Sequence, residues 1–393
     1  MKMVEISNGV YSLRVNHFNR KLFDALIPLP DGTSYNSYLV IGTKYTVLLD
    51  TADPEKRDLF LDYLKEINKI DFVVAHHAEQ DHSGLIPVVL DKYPQCKVLT
   101  NEKCADLLKT HLHIKDERIV LIKDGEKMDI GGKTLEFVFI PWVHWPETFA
   151  TYLHEDRILF PCDFFGSHLA TDEVYSTPEM VYEPMKRYYA EIMMPFSANI
   201  KSNLEKISKF EIKTICPSHG PIHNNVNFPI DCYKKWSFGE LENKVSVLYV
   251  SMHNSTYMMV DRLISKLNDY GVMVEKLNLE DADLGRVAMS LVDSKTVVIA
   301  TPTVLGGPHP KAIYAAYLFS LLRPRTKNLA VMFSYGWGGK TVEFLSGVLS
   351  NSKAELIGQV GIKGMPNDDA YKLIDTLARE ISEKHLKVGA ANK

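Results

Sequence analysis

His76-His77-Ala78-Glu79-Gln80-Asp81-His82-Ser83-Gly84 is the stretch on which the fold of this 393-residue chain turns. Five of its side chains can bind metal: His76, His77, Glu79, Asp81 and His82. One ion takes three or four protein ligands, so this density indicates two ions rather than one. The preceding run, Asp71-Phe72-Val73-Val74-Ala75, has the apolar, β-branched composition of a short buried strand. The following run, Ser83-Gly84-Leu85-Ile86-Pro87-Val88-Val89-Leu90, reads as a turn feeding a helix. The cluster therefore belongs on a loop at the C-terminal end of a strand, where αβ folds place their ligands. An extended loop puts His77, Glu79 and Asp81 on one side, with His82 directly after them.

Composition bounds the class. A chain of 393 residues has room for two or three domains, and 46% hydrophobic with 24% charged residues is ordinary for a soluble globular protein. The formal charge of −4 gives no electrostatic basis for binding nucleic acid. No run approaches the ~18 consecutive apolar residues of a membrane helix, and the first nine residues have no long apolar region of a signal peptide. Cys96, Cys104, Cys162, Cys216 and Cys232 are scattered, odd in number and never spaced C-x-x-C. That argues against a disulfide framework and against an attached rubredoxin-type iron site. A reduced, cytoplasmic protein is the expectation.

Three further stretches repeat the arrangement of a strand followed by a ligand on a tight loop. Leu135–Ile140 is strand-like and leads to Pro141-Trp142-Val143-His144-Trp145-Pro146, where prolines on both sides restrict the backbone around His144. Ile158-Leu159-Phe160 leads to Pro161-Cys162-Asp163-Phe164-Phe165, which sets a carboxylate among aromatics. Burying it there is costly unless it is paired or metal-bound. Thr214-Ile215-Cys216 leads to Pro217-Ser218-His219-Gly220. Around these, Tyr38–Asp50 reads as a hairpin about Gly42-Thr43-Lys44, Pro54–Ile67 as a helix, Cys96–Thr100 as a strand and Glu102–His111 as a helix. Such alternation marks a layered αβ domain.

His77-x-Glu79-x-Asp81-His82, His144, Asp163 and His219 together resemble the metallo-β-lactamase fold as it occurs in flavodiiron proteins. Zinc hydrolases of that fold carry His-x-His-x-Asp-His in the first loop, and this chain has Glu79 at the second histidine. The exchange adds a hard oxygen donor, which suits a carboxylate-rich diiron centre better than zinc. The resemblance implies an αββα sandwich over residues 1–242. It also implies His77, Glu79 and His144 on one iron, Asp81, His82 and His219 on the other, and Asp163 bridging a pair roughly 3.5–4 Å apart. His76 and Ala78 are not ligand positions, His168 stands at best behind the ligands, and Trp145 is expected as an apolar wall.

Trp236-Ser237-Phe238-Gly239-Glu240 leads into a polar stretch, and a second domain is expected over 243–393. Strands at 245–250, 272–277, 296–301, 329–334 and 355–360 alternate with helical patterns such as Met258–Leu267 and Ala370–Ile381, a doubly wound five-stranded parallel sheet of flavodoxin type. Its strand-end loops carry the chemistry. Ser251-Met252-His253-Asn254-Ser255-Thr256 can hold one phosphate at a helix N-terminus, and it lacks the nucleoside-triphosphate and dinucleotide fingerprints. Pro302-Thr303-Val304-Leu305-Gly306-Gly307 and Ser334-Tyr335-Gly336-Trp337-Gly338-Gly339 let backbone approach a flat ring, with Tyr335 or Trp337 at its edge. These loops resemble the flavodoxin pattern for FMN, except that Asn254 stands where glycine is frequent.

The resemblance spans essentially the whole chain and implies a reductase of O2, NO or both. FMN would collect electrons from an external donor, rubredoxin or reduced coenzyme F420, for two irons, and the chain would form a head-to-tail homodimer or a dimer of dimers. The competing classes are a two-zinc hydrolase, against which Glu79 stands, and an electron-transfer flavoprotein with a degenerate metal domain, which would lack ligands that are present here.

Overall fold

Seven strands of the first half form one sheet in simple chain order: β1 Val4–Ser7, β2 Val10–His17, β3 Thr33–Ile41, β4 Thr46–Leu49, β5 Phe72–Val74, β6 Lys97–Thr100 and β7 Ile119–Leu121. Strands β1 to β4 pair antiparallel, and β4 to β7 run parallel. Helices Arg57–Lys65, Ile86–Lys92 and Glu102–Leu112 lie in the crossovers between the parallel strands. A second sheet comprises β8 Lys127–Asp129, β9 Thr134–Phe139, β10 Phe149–Leu153, β11 Ile158–Phe160 and β12 Thr214–Ile215, antiparallel except for the parallel β11–β12 pair.

Successive side chains of a strand face opposite ways, and here that alternation separates two cores. Leu48, Val73 and Val98 pack with Phe60, Leu64, Val89 and Leu108 of the helices. Their neighbours Val47, Leu49, Val74 and Leu99 pack instead against Phe137, Phe149, Leu153 and Phe160 of the second sheet. Each such buried side chain contributes about 1.5–3 kcal/mol. A one-residue register slip would turn every one of them to the wrong face, which is why the αββα sandwich is strongly specified.

The second sheet-bearing unit has the order β14-β13-β15-β17-β18, all parallel: β13 Glu242–Tyr249, β14 Met273–Asn278, β15 Ser294–Val304, β17 Asn328–Tyr335 and β18 Glu355–Lys363. The order reverses at β13, as in a flavodoxin-like doubly wound sheet. Helices Ser255–Asp269 and Asp368–Leu386 cover one face through Met259, Leu263, Leu267, Ile374, Leu377 and Ile381. A bidentate Arg262–Asp375 pair, with N–O distances of 2.7 and 2.6 Å, ties these two helices together at the rim.

The computed structural model describes residues 2–386. The chain divides into two compact units: one runs to Tyr189 and resumes over Phe196–Phe238, and the other takes Ala190–Pro195 and continues from Gly239. The division at 238/239 precedes the 242/243 boundary expected from sequence, and β13 already begins at Glu242. Trp236 belongs to the first unit. It lies buried in helix Asn227–Phe238 against Tyr189 and Tyr233, at ring separations of 5.3 and 5.8 Å. A second departure concerns residues 301–307. They are largely strand, because β15 runs on to Val304 and pairs antiparallel with a two-residue β16, Gly307–Pro308, leaving Leu305-Gly306 as a hairpin tip.

Candidate functional site

The candidate metal ligands follow the C-terminal ends of β5, β9, β11 and β12, each delivered by the loop after its strand. After Val74 the chain bends at His76 and His77 and is extended at Glu79, and Gln80–Ser83 then forms one helical turn. Asp81 and His82 therefore sit on a helix rather than on the extended loop that simple alternation suggested. That turn splits the motif. His77 and Glu79 join His144 and Asp163 in one group, while Asp81 and His82 join His219 in another. His77 Nε2 lies 3.3 Å from Glu79 Oε2 and 3.2 Å from Asp163 Oδ2, and His144 Nε2 lies 3.0 and 3.2 Å from the same two oxygens. On the other side, His82 Nε2 is 3.1 Å from both Asp81 Oδ2 and Asp163 Oδ1, and His219 Nε2 is 3.3 and 3.4 Å from them. Asp163 thus presents one carboxylate oxygen to each group.

Two observations bear on whether these residues fit metal ions. Both Asp81 oxygens and both His82 ring nitrogens are buried without a hydrogen-bond partner. The His82–Asp81 separation is within ion-pair range, yet the angles are wrong for a hydrogen bond, so the atoms face a common point rather than each other. Donor atoms held about 2.0–2.2 Å from one centre lie about 3.0–3.4 Å from each other, which matches the spacing here. The charge balance agrees. Burial opposes ionisation of Asp163, but His82 and His77 outweigh it and hold that carboxyl well below its usual range. Burial also opposes a charge on His144, and hydrogen bonds to Asp163 and Glu79 overcome it, raising its pKa to about 9. A pocket whose acids are ionised and whose histidines attract protons is one that favours added positive charge.

The surroundings hold the ligands in place. His219 Nδ1 donates to the Ser34 carbonyl at 2.7 Å, and Ser218 Oγ donates to Asp163 Oδ1 at 2.8 Å. Gly220 has φ +79°, and a Cβ there would lie 2.1 Å from Ser167 Oγ, so only glycine lets the chain turn back directly after His219. His76 is excluded as a ligand by its own bonds: Nδ1 meets Asp50 at 2.7 Å and Nε2 meets Thr151 at 2.8 Å. Trp145 stands edge-on to His77 at 5.8 Å, forming the expected wall. His168 packs behind His219 at 5.1 Å and contacts Thr33 Oγ1 at 3.0 Å. Sequence reasoning passed over Ser34, Glu147 and Ser218. Glu147 is only 2% exposed and accepts from the Ala78 N–H at 3.1 Å, steadying the metal loop. A carboxylate between Pro146 and an apolar strand was the one signal available for it.

In the second unit the three expected loops converge. A cleft of about 280 Å3 is lined by Met252, His253, Ser255, Pro302, Thr303, Ser334, Tyr335 and Gly336, with Gly364 and Met365 added from the turn after β18. Those last two were missed because nothing in Gly364-Met365 distinguishes it from any turn. Ser334 Oγ meets Ser255 Oγ and Thr256 Oγ1, both at 2.9 Å, linking two of the loops. Asn254 has φ +65° and makes no side-chain cap on helix Ser255–Asp269. It supplies the left-handed turn that glycine otherwise provides, and it leaves first-turn N–H groups for an anion. Gly339 closes on the other hairpin: a Cβ would lie 2.6 Å from Thr303 Cγ2, and Lys340 N donates to Gly306 O at 2.8 Å. Trp337 and Leu305 are 81% and 94% exposed, apolar surfaces with nothing packed on them in the isolated chain. A cleft at a helix N-terminus that Asn254 does not cap, with close glycine backbone and an uncovered indole, fits a phosphate-bearing planar ring such as FMN.

Comparison with known proteins gives a consistent set of likenesses. The family described as ODP family beta lactamase matches residues 33–220. The chain is 31% identical to a nitric oxide reductase of Moorella thermoacetica, over 97% of this chain and 98% of that protein. It is 32% identical to the anaerobic nitric oxide reductase flavorubredoxin of Escherichia coli K12, over 90% of this chain and 76% of that one. Among solved structures, rubredoxin oxygen:oxidoreductase from Desulfovibrio gigas superposes with a TM-score of 0.95 at 26% identity, covering 99% of this chain and 100% of that one. A flavodiiron protein from Giardia intestinalis superposes at 0.91, also with 26% identity, over 98% of each chain.

Proposed function

We infer the activity of this chain from the premise that it belongs to the flavodiiron protein family. It is an oxidoreductase that reduces O2 or NO, using FMN and a non-haem diiron centre. The residues proposed to hold one iron are His77, Glu79 and His144, and those for the other are Asp81, His82 and His219, with Asp163 bridging. Asp163 carries this reading, because each of its two oxygens faces a separate histidine–carboxylate group. Bound in these places, FMN would take electrons from outside and the irons would bind the gas and pass electrons to it.

The chain's own residues supply position and dryness. The Ser34 carbonyl sets the tautomer of His219 by holding a proton on Nδ1, which leaves Nε2 free to ligate. Trp145 on one side, and Phe23, Tyr35 and Tyr188 around His219 on the other, line the site with rings that exclude bulk water. In the second unit, Ser251–Thr256 are proposed to hold the FMN phosphate, and Pro302–Gly307 with Ser334–Gly339 its ring.

The donor is proposed to be a separate rubredoxin or reduced F420; a structural relative is named for rubredoxin. A head-to-tail homodimer, or a pair of such dimers, is proposed to cover the exposed Trp337 and Leu305. No helix among the described residues is long and apolar enough to cross a membrane, and a cytoplasmic location is proposed.

The experiment is metal and flavin analysis of protein purified without oxygen, followed by O2 and NO consumption with pre-reduced FMN. About two irons and one FMN per chain, with consumption of either gas, is expected. The Asp163→Ala variant should lose iron and gas reduction while keeping FMN. Two zincs and no iron in the parent would overturn the reading in favour of hydrolysis.

A further inference from the structure

We propose that Cys162 is a positioning residue for the iron held by His77, and that it makes the two irons inequivalent. This rests on the diiron reading above. With Nε2 turned toward Glu79 and Asp163, His77 carries its proton on Nδ1, which donates to Cys162 Sγ at 3.2 Å. Ser218 Oγ lies 3.7 Å from the same sulfur and 2.8 Å from Asp163 Oδ1. Ser218 has one proton, and the carboxylate is the better acceptor, so the thiol proton points to Ser218 Oγ. Every proton then has an acceptor along one path, His77 Nδ1–H to Cys162, Cys162 S–H to Ser218, and Ser218 O–H to Asp163. The path joins a ligand of one iron to the Asp163 oxygen that faces the other group.

The backbone enforces this arrangement. Cys162 has φ +55°, a conformation that side-chain-bearing residues adopt rarely, and its carbonyl accepts from Ser218 N at 2.9 Å. Cys162 is buried, only 2% exposed, so water does not replace its sulfur. The other group is backed differently. His219 donates to a carbonyl oxygen at 2.7 Å, and His82 Nδ1 has no partner. Sulfur is a weaker acceptor than a carbonyl oxygen, and the acceptor behind a ligating imidazole sets how strongly it donates to metal. By this measure His77 is a poorer donor than His219 and a better one than His82, and Cys162 sets its strength.

The test compares Cys162→Ala and Cys162→Ser with the parent. Apo-protein is titrated anaerobically with Fe(II) against a coloured chelator, and iron midpoint potentials are read by spectroelectrochemistry. The alanine variant should weaken one of the two Fe(II) sites by roughly 10–100-fold, the usual effect of removing a ligand's hydrogen-bond partner. The serine variant should restore binding and shift one midpoint to lower potential, since oxygen accepts more strongly than sulfur. Alanine indistinguishable from parent overturns the proposal, as does serine no better than alanine, because sulfur volume alone would then matter. Should the alanine variant fail to fold, an unchanged midpoint in the serine variant overturns it. A parent taking up no iron fails the diiron reading and this inference with it; a parent with two irons and unaffected variants overturns the inference alone.

Discussion

At the residue scale, Glu79 and His223 show how one side chain sets metal preference and another sets acid stability. Glu79 contributes an oxygen at 3.0 and 3.3 Å from two histidine nitrogens, and histidine at this position would convert the motif to the hydrolase form. The Glu79→His variant should take up zinc in preference to iron in metal analysis of protein grown with both; unchanged iron content would show that Glu79 does not set the choice. His223 is buried between Ser176 and the Phe165 carbonyl, at 2.8 and 3.0 Å. Burial pushes its pKa from 6.5 down to about 4, against a smaller upward pull from that carbonyl. The unfolded chain therefore binds this proton first. The stability is whole above pH ~6.5 and is lost as pH falls toward ~4, by about 3 kcal/mol in all. Denaturant unfolding at pH 7.5 and pH 5 should show a drop about 2 kcal/mol larger in the parent than in His223→Gln. Equal drops would mean that another group carries the acid sensitivity.

At the element scale, short turns decide more than long helices. The helical turn Gln80–Ser83 parts Asp81 and His82 from His77 and Glu79, whereas a continuous strand would have left His77, Glu79 and Asp81 on one face. The turn before helix Ser255–Asp269 depends on His253 and Asn254, with φ of +53° and +65°. Asparagine tolerates this region and β-branched residues do not, at about 1–2 kcal/mol. Fluorescence titration with FMN should find Asn254→Gly close to parent and Asn254→Val weaker by roughly tenfold. Valine binding as tightly as asparagine would show that the turn is not part of the phosphate site.

At the scale of the whole molecule, the two units have separate cores, and each is proposed to hold its own cofactor. A ligand stabilises only the unit that binds it, by about 2.7 kcal/mol at a hundredfold excess over Kd. Calorimetry should therefore show two transitions, one lowered by removing FMN and the other by chelating iron; a single transition responding to both would refute independent units. Much of this was legible in the chain itself. The αβ alternation and the parallel five-stranded sheet follow from local pattern, because strand composition and turn residues are set within a few positions; pattern also marked His77, Glu79, Asp81, His82, His144, Asp163 and His219 as candidates, and the family resemblance joined them into one ligand set. Tertiary structure alone decided that Cys162 backs His77 and that Ser34 backs His219. Those partners come from strands far apart in the chain, brought together by the parallel β11–β12 pairing and the stacking of two sheets. Periodicity reports which face of a strand is buried; only the packed fold determines what that face meets.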